Sequence, residues 1–294
     1  MDTRKLKYFL AVVDHGGFNR AAEHLLIAQP SLSQTIAGLE RELGVPLFHR
    51  IGRRAVLSDA GRELVGPARL VMRDLDAAQS AVQALRGVRS GQLDIVTMPS
   101  PGIEPLTSMI AAFTRSYPSV RLNVEAAFTP EEVIESVRNG STEIGLAGSA
   151  TAIRVPGVEV LGLERQPLIL IVNPQADTFG PGKAIAREDL NGHRLIASQR
   201  GSLMRWLVDD ALARGVNAEI VVEVAHRTSV LPLVLAGVGH AVMPSSWAPT
   251  AGKAGLRTLL IEPVSHLEVA ILSRKDDLTP AARAFLQVAK DHAE

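Results

Sequence analysis

The chain of 294 residues contains no cysteine. Disulfides, thiolate metal sites, a cysteine nucleophile and a thiol redox sensor are therefore all excluded. A long apolar run is missing too. The longest such stretch, Val230 to Pro244, is broken by Pro232, Gly237, Gly239 and His240, too short and interrupted to span a bilayer. The first residues, MDTRKLKYF, are charged and lack the apolar core of a signal peptide, which predicts a cytoplasmic location and no membrane partner. Net charge is also absent, since 31 Lys and Arg balance 31 Asp and Glu. What is present, 46% hydrophobic and 21% charged residues, describes an ordinary globular protein long enough for more than one domain.

The zero net charge hides an asymmetry. Residues 1–58 carry eight basic residues against five acids, a net +3, which leaves −3 for the remainder. A basic head on an acidic body suggests an anionic partner for the head, although solvated helix faces produce such imbalances as well.

Three helical patterns fill the head. Leu6, Phe9, Leu10 and Val13 recur at helical spacing before Gly16-Gly17, and Phe18, Ala21, Ala22, Leu25 and Leu26 repeat the pattern. After a short turn, Leu32, Ile36, Leu39 and Leu43 form one apolar stripe closed by Gly44. Two signals compete for the start of this third helix. Pro30 suits the first helical turn, while Ser31 to Gln34 reads as a capping box. Helix, turn, helix is the layout that presents a recognition helix to the major groove by its first residues. Those residues are Gln29, Ser31, Ser33, Gln34 and Thr35, with Pro30 among them. Gln can pair with adenine through two hydrogen bonds, and Ser can bond base edges or phosphates. The plainer reading makes them helix caps only. Behind them, Val45 to Phe48 and Ala55 to Leu57 read as short strands around a tip carrying Arg50, Arg53 and Arg54. Arginines on such a wing can enter the minor groove or hold phosphates.

These residues carry a resemblance. Ala21-Ala22, Gln29-Pro30-Ser31-Leu32-Ser33, Ile36, Leu39-Glu40, Glu42-Leu43-Gly44-Val45, Leu47-Phe48, Arg50, Leu57-Ser58 and Ala60-Gly61 stand together at fixed spacing. The chain resembles the LysR-type transcriptional regulators. Two departures are visible: Gln34 replaces the family's usual basic residue, and Ser58 stands where threonine is favoured. The absence of cysteine sets the chain apart from peroxide sensors that switch by forming a disulfide.

From Asp59 to about Arg89, Leu64, Ala68, Val71, Leu75, Ala78, Val82 and Leu85 recur in a 4-3 rhythm, the seam of a coiled coil. A helix packed on its own domain is the plainer alternative. The polar residues Arg73, Asp74, Asp76 and Gln79 on the other faces favour dimerisation, as the resemblance also implies.

Beyond residue 90, strand-like and helix-like segments alternate, from Leu93–Thr97 through Ile144–Ala147, Leu168–Val172, Arg194–Ala197, Ile220–Val224 and His240–Met243 to a last helix after Pro280. This rhythm predicts an α/β body of doubly wound parallel sheets. Ligands of such sheets sit at strand ends beside helix amino termini. Ser100 and Pro101, after the first strand, and Thr129, after the second, occupy such junctions. They are small anion sites or, more plainly, N-caps. The resemblance implies an effector domain of two subdomains similar to periplasmic solute-binding proteins, with Ser100 and Thr129 where relatives contact carboxylates. It adds Ser198, Gln199 and Thr228 from the second subdomain. Glu143 stands where many members carry aspartate and reads as a surface substitution without consequence.

The implied organisation is a winged helix-turn-helix at 1–58, a linker helix at 59–89 and an effector domain at 90–294. Its subdomains are 90–162 with 267–294, and 163–266. The implied partners are operator DNA, a small-molecule effector, a second copy or a dimer of dimers, and RNA polymerase if the protein activates. No cofactor is implied. A cytoplasmic solute-binding protein without regulatory role is the alternative. Enzyme readings find little support: Gly237-Val238-Gly239 enters a strand, no GxSxG elbow occurs, and the eight histidines lack metal-ligand spacing.

Overall fold

A computed structural model describes residues 2–51, 54–85, 91–176, 178–275 and 278–293. The head opens with α1 (Thr3–Asp14), which Asp2 caps by accepting the Lys5 N–H at 2.8 Å. Helices α2 (Phe18–His24) and α3 (Gln29–Leu43) follow. The expected stripes meet in one core, where Leu6, Phe9, Ala21, Leu32, Ile36 and Leu39 are almost fully buried. Two positions differ from expectation. Leu43 is exposed at the end of α3, and Leu26 stands almost wholly in water. The cause at Leu26 is the turn itself, since α2 has ended and this residue takes a left-handed φ of +54° while Leu25 packs inward. Gly44 ends α3 in the left-handed region at φ +74°, where a Cβ would be disfavoured.

The wing consists of β1 (Phe48–Ile51) and β2 (Arg54–Leu57), antiparallel, with Phe48 opposite Leu57. It starts later than its apolar residues suggest, because Val45 and Pro46 belong to the turn. The Glu40 side chain of α3 holds that turn, accepting the N–H groups of Leu47 at 2.7 Å and Phe48 at 3.2 Å. The Phe48 ring then lies 5.5 Å from Phe9 and 5.4 Å from Phe18.

Helix α4 (Asp59–Leu85) has 27 residues, about 40 Å at 1.5 Å per residue. Ser58 ties its start to the wing, donating to the Pro46 carbonyl at 2.6 Å and accepting the Gly61 N–H at 2.9 Å. A Cβ on Gly61 would meet the Leu47 carbonyl oxygen at 2.2 Å, so only glycine lets α4 approach the wing this closely. The first heptad behaves as the plainer alternative predicts. Ala68 is buried in the head core and Leu64 packs against it, whereas Val71, Leu75 and Ala78 are exposed. The side chains of Val82 and Leu85 lie outside the described residues.

In the body, β3 (Gly91–Thr97), α5 (Pro99–Ile103), α6 (Leu106–Ser116), β4 (Val120–Ala126), α7 (Pro130–Arg138) and β5 (Ile144–Ser149) come first. Next are β6 (Val158–Val172), β7 (Ala184–Ala186), β8 (Arg194–Ser198), α8 (Leu203–Ala213), β9 (Glu219–Val224) and α9 (Val230–Leu235). The chain ends through β10 (His240–Pro244), α10 (Ala248–Lys253), β11 (Arg257–Glu262), β12 (His266–Arg274) and α11 (Pro280–Ala293). Strands run in the order β4-β3-β5-β12-β6-β10-β8-β9, with β11 on β6 and β7.

The sheet is mixed rather than parallel throughout. Strands β3, β4 and β5 are parallel, as are β8, β9 and β10, but β6 and β12 run antiparallel to their neighbours. The reason is connectivity: β11 and then β12 run in one direction along the long strand β6 and antiparallel to it, from Arg257 opposite Val172 to Arg274 opposite Val158. The 15-residue β6 pairs with β12 along its first part and with β10 and β11 along its last, so it serves both halves of the body. One core gathers Leu93, Ile95, Phe113 and Phe285 under α6 and α11, and another gathers Leu168, Leu195, Met204 and Leu207 under α8.

Glu143 is not a surface residue. It is 2% exposed, and its carboxylate accepts the Thr279 N–H at 2.8 Å and the Thr279 hydroxyl at 3.0 Å. The Thr279 Oγ1 in turn accepts the Ala282 N–H at 3.2 Å, so Glu143 secures the start of α11.

Candidate functional site

The leading end of α3 is open. Its N-cap, Ala28, offers no side-chain acceptor, Pro30 lies in the first turn, and no acidic residue stands there. The expected capping box at Ser31 does not form, because Ser31 is already helical; its carbonyl accepts the Thr35 hydroxyl at 2.8 Å. Pro30, Ser31 and Gln34 are exposed, and Gln29 and Ser33 are half-buried. Gln29 Nε2 donates to Ser33 Oγ at 2.7 Å across one helical turn. That bond uses one amide hydrogen and holds the side chain, leaving Oε1, the second amide hydrogen and the Ser33 hydroxyl proton for a partner. Arg53 and the side chains of Arg50 and Arg54 lie outside the described residues; the backbone pairs Arg50 with Ala55 and Ile51 with Arg54.

The body holds a cavity of about 620 Å³. Met98, Ser100 and Pro101 line it at the start of α5, and Phe128, Thr129, Pro130 and Glu131 at the start of α7. Gly148 to Ala150 close the end of β5, while Gly201 to Met204, Trp206 and Asp209 supply the α8 side. Arg227 and Leu267 complete the lining. Its polar centre is Ser100, fully buried, whose Oγ accepts from the Arg227 guanidinium and from Trp247 Nε1 at 3.4 Å. Both partners are donors only. Among the described residues nothing accepts the Ser100 hydroxyl proton. No carboxylate pairs with Arg227 among them either, and burial away from water pushes its guanidinium down to about 10, so it stays charged at neutral pH.

The opposite junction behaves differently. Thr129 lines the cavity, but its Oγ1 accepts the Glu132 N–H at 3.2 Å as an ordinary N-cap. The Glu132 carboxylate turns back onto the Phe128 N–H at 2.7 Å, and Glu131 faces the cavity. The donors at α7 are thus already engaged, the Glu132 N–H by Thr129 and the Phe128 N–H by the Glu132 carboxylate, and the cationic pole belongs to Ser100 and Arg227. Asp209 is neutralised by Arg205, whose Nε donates to it at 2.7 Å while another guanidinium nitrogen reaches Glu223.

Three sequence candidates fall short of the cavity. Ser198 is the buried last residue of β8, and Gln199 and Thr228 are exposed. The chain turns through Gln199 to Gly201, so the first turns of α8, not the strand end, form the wall. Two residues of the site, Arg227 and Trp247, escape sequence reasoning. Arg227 directly precedes Thr228 ahead of α9, where the hydroxyl rather than the cation reads as the candidate. Trp247 carries the rarer signal, as one of only two tryptophans.

Comparison with known proteins decides the family. Residues 3–62 match the family model described as "Bacterial regulatory helix-turn-helix protein, lysR family", and residues 86–294 match "LysR substrate binding domain". The chain belongs to the LysR family. It is a transcriptional regulator with DNA-binding and effector-binding domains, not an enzyme. Among curated relatives, the nitrogen assimilation regulatory protein nac of Escherichia coli is 29% identical over 98% of this chain and 94% of its own. The uncharacterised HTH-type transcriptional regulator YfeR of Shigella flexneri is 27% identical over 98% and 93%. Among solved structures, the LysR-family regulator CbnR complexed with its target DNA covers 100% of both chains at 27% identity and a TM-score of 0.70. Full-length OxyR from Pseudomonas aeruginosa, 23% identical with a TM-score of 0.74, covers 100% of this chain and 94% of its own and shares the fold. Among the described residues of this regulator, no helix is long and apolar enough to cross a membrane.

Proposed function

We propose that this regulator binds a specific double-stranded operator through α3 and the wing, and that a small organic anion in the body's cavity modulates it. Gln29, Pro30, Ser31, Ser33 and Gln34 read or approach the bases, and Arg50, Arg53 and Arg54 hold the backbone. Self-association into a dimer, or a dimer of dimers, runs through the exposed face of α4. The cavity holds the anion at Ser100 and Arg227, with Pro101 and Thr129 as further walls. One observation carries the anion reading: Ser100 accepts from two donor-only groups, so both its proton and the Arg227 charge seek an acceptor. A ligand shifts the regulator only as far as it prefers one arrangement of the two halves. The alternative, a solute-binding protein without regulatory role, has no use for the winged helix-turn-helix at residues 3–62.

The test is calorimetry against small carboxylates, paired with footprinting on the operator. Ser100→Ala removes a donor and should lose both effector binding and the induced footprint change while basal operator affinity survives. A variant that responds like the parent would move the effector elsewhere.

A further inference from the structure

Two large aromatic side chains stand in water at this cavity. Phe128, between β4 and α7, is 52% exposed, and Trp206, on α8, is 54% exposed. They come from different packed units: α7 packs on β5, whereas α8 covers the core around Leu195 and Leu207. Apolar surface of that size is not left in water around one cavity without cost, and the cost is recovered when a flat apolar group covers it.

Charge limits the other end of the ligand. Arg227 is the one cation lining the cavity among the described residues, and Ser100 adds a single hydroxyl beside it. Glu131 faces the same space from the α7 side, and Asp209 is already satisfied by Arg205. A second negative group on the ligand would find no cation and would approach Glu131.

We infer that the effector is a monoanion with a flat, apolar, aromatic body, its carboxylate on Arg227 and Ser100 and its ring held against Phe128 and Trp206. This rests on the reading of the cavity as the effector site. The two rings act as specificity determinants, rejecting short aliphatic acids and dicarboxylates alike.

The full-length regulator supplies its own reporter, because its only two tryptophans are Trp206 at the cavity and Trp247 on Ser100. Fluorescence titration with naphthoate, naphthamide, a naphthalene dicarboxylate and acetate separates body from charge, with calorimetry for the variants. Naphthoate should bind about tenfold or more tightly than each of the other three. Phe128→Ser with Trp206→Ser should lose that advantage, and Trp206→Phe in the parent should keep most of it. Arg227→Gln should weaken naphthoate to the level of naphthamide. Naphthoate binding no tighter than acetate, or unaffected by the double serine variant, overturns the aromatic inference while dependence on Arg227 keeps the anion reading. Naphthoate binding indifferent to Arg227, or no binding of any probe at millimolar concentration, overturns both.

Discussion

Glu143 and Thr279 lie 136 positions apart in sequence, yet the buried carboxylate of one closes the first turn of the helix that follows the other. The bond joins the start of β5 to α11, so the last helix of the chain is fastened to the sheet from its own amino end.

Removing that carboxylate leaves the half-buried Thr279 N–H and hydroxyl without their acceptor. Glu143→Ala should therefore destabilise the body by about 1–3 kcal/mol, and more than Glu143→Gln, which keeps an acceptor oxygen. Thermal melting of the purified regulator reads this directly. Equal midpoints for parent and Glu143→Ala would show that the cap contributes nothing.

The bond between Gln29 and Ser33 leads to a prediction about readout. Gln29→Ala should cost about 1–3 kcal/mol on the operator, concentrated at one base pair, and little on random DNA. If the side chain is held by Ser33, Ser33→Ala should cost less alone and nothing further in the Gln29→Ala background. Affinities of the four proteins on operator and random duplexes decide it. Equal losses on both duplexes would make Gln29 a backbone contact.

Helix α4 divides its apolar residues between two tasks, and substitution should separate them. Ala68 belongs to the head core, so Ala68→Glu should unfold the head, because a buried unpaired charge costs several kcal/mol. Leu75 is exposed, so Leu75→Glu should leave the melting of the isolated chain unchanged and abolish self-association. Analytical ultracentrifugation beside circular dichroism distinguishes the outcomes. A Leu75→Glu protein that still associates would place the seam on another face.

Much of this architecture is legible in the residues, and the exceptions share a cause. The stripe Leu32, Ile36 and Leu39 identifies α3 because its burial follows from helical period alone. The first part of β6 is not legible. Glu159, Glu164 and Arg165 interrupt its apolar residues, and its register shifts against β12 between Val269 and Ala270, so no alternation survives to be read. The wall residues of the cavity follow the same rule. Ser100 and Thr129 are found because strand-to-helix junctions have local signatures. Arg227 meets Ser100 across 127 positions and Trp247 meets it across 147, and a contact at that range leaves no local pattern. Glu143 reads as a surface residue for the same reason, since its partner is a distant helix start.

The Arg227 guanidinium offers the sharpest test of the switch. Burial depresses its pKa to about 10, well below the usual guanidinium range, so the charged form is the disfavoured one in the empty cavity. A carboxylate stabilises that charged form, and binding must therefore raise the pKa. The sign follows by linkage: in the free protein the proton is lost as pH rises through about 10, and it must be taken up again when an anion binds there. Affinity for a carboxylate, itself ionised throughout, should be level from pH 6 to 9 and fall above about 10, with proton uptake on binding only in the upper range. Arg227→Gln should remove the slope and weaken binding by about 1.5–3 kcal/mol, while Arg227→Lys keeps the charge without the planar fork and recovers part of it. Calorimetry in two buffers of different ionisation enthalpy measures the proton uptake. Affinity that stays level through the upper range in the parent, with no proton taken up, would remove Arg227 from the anion site.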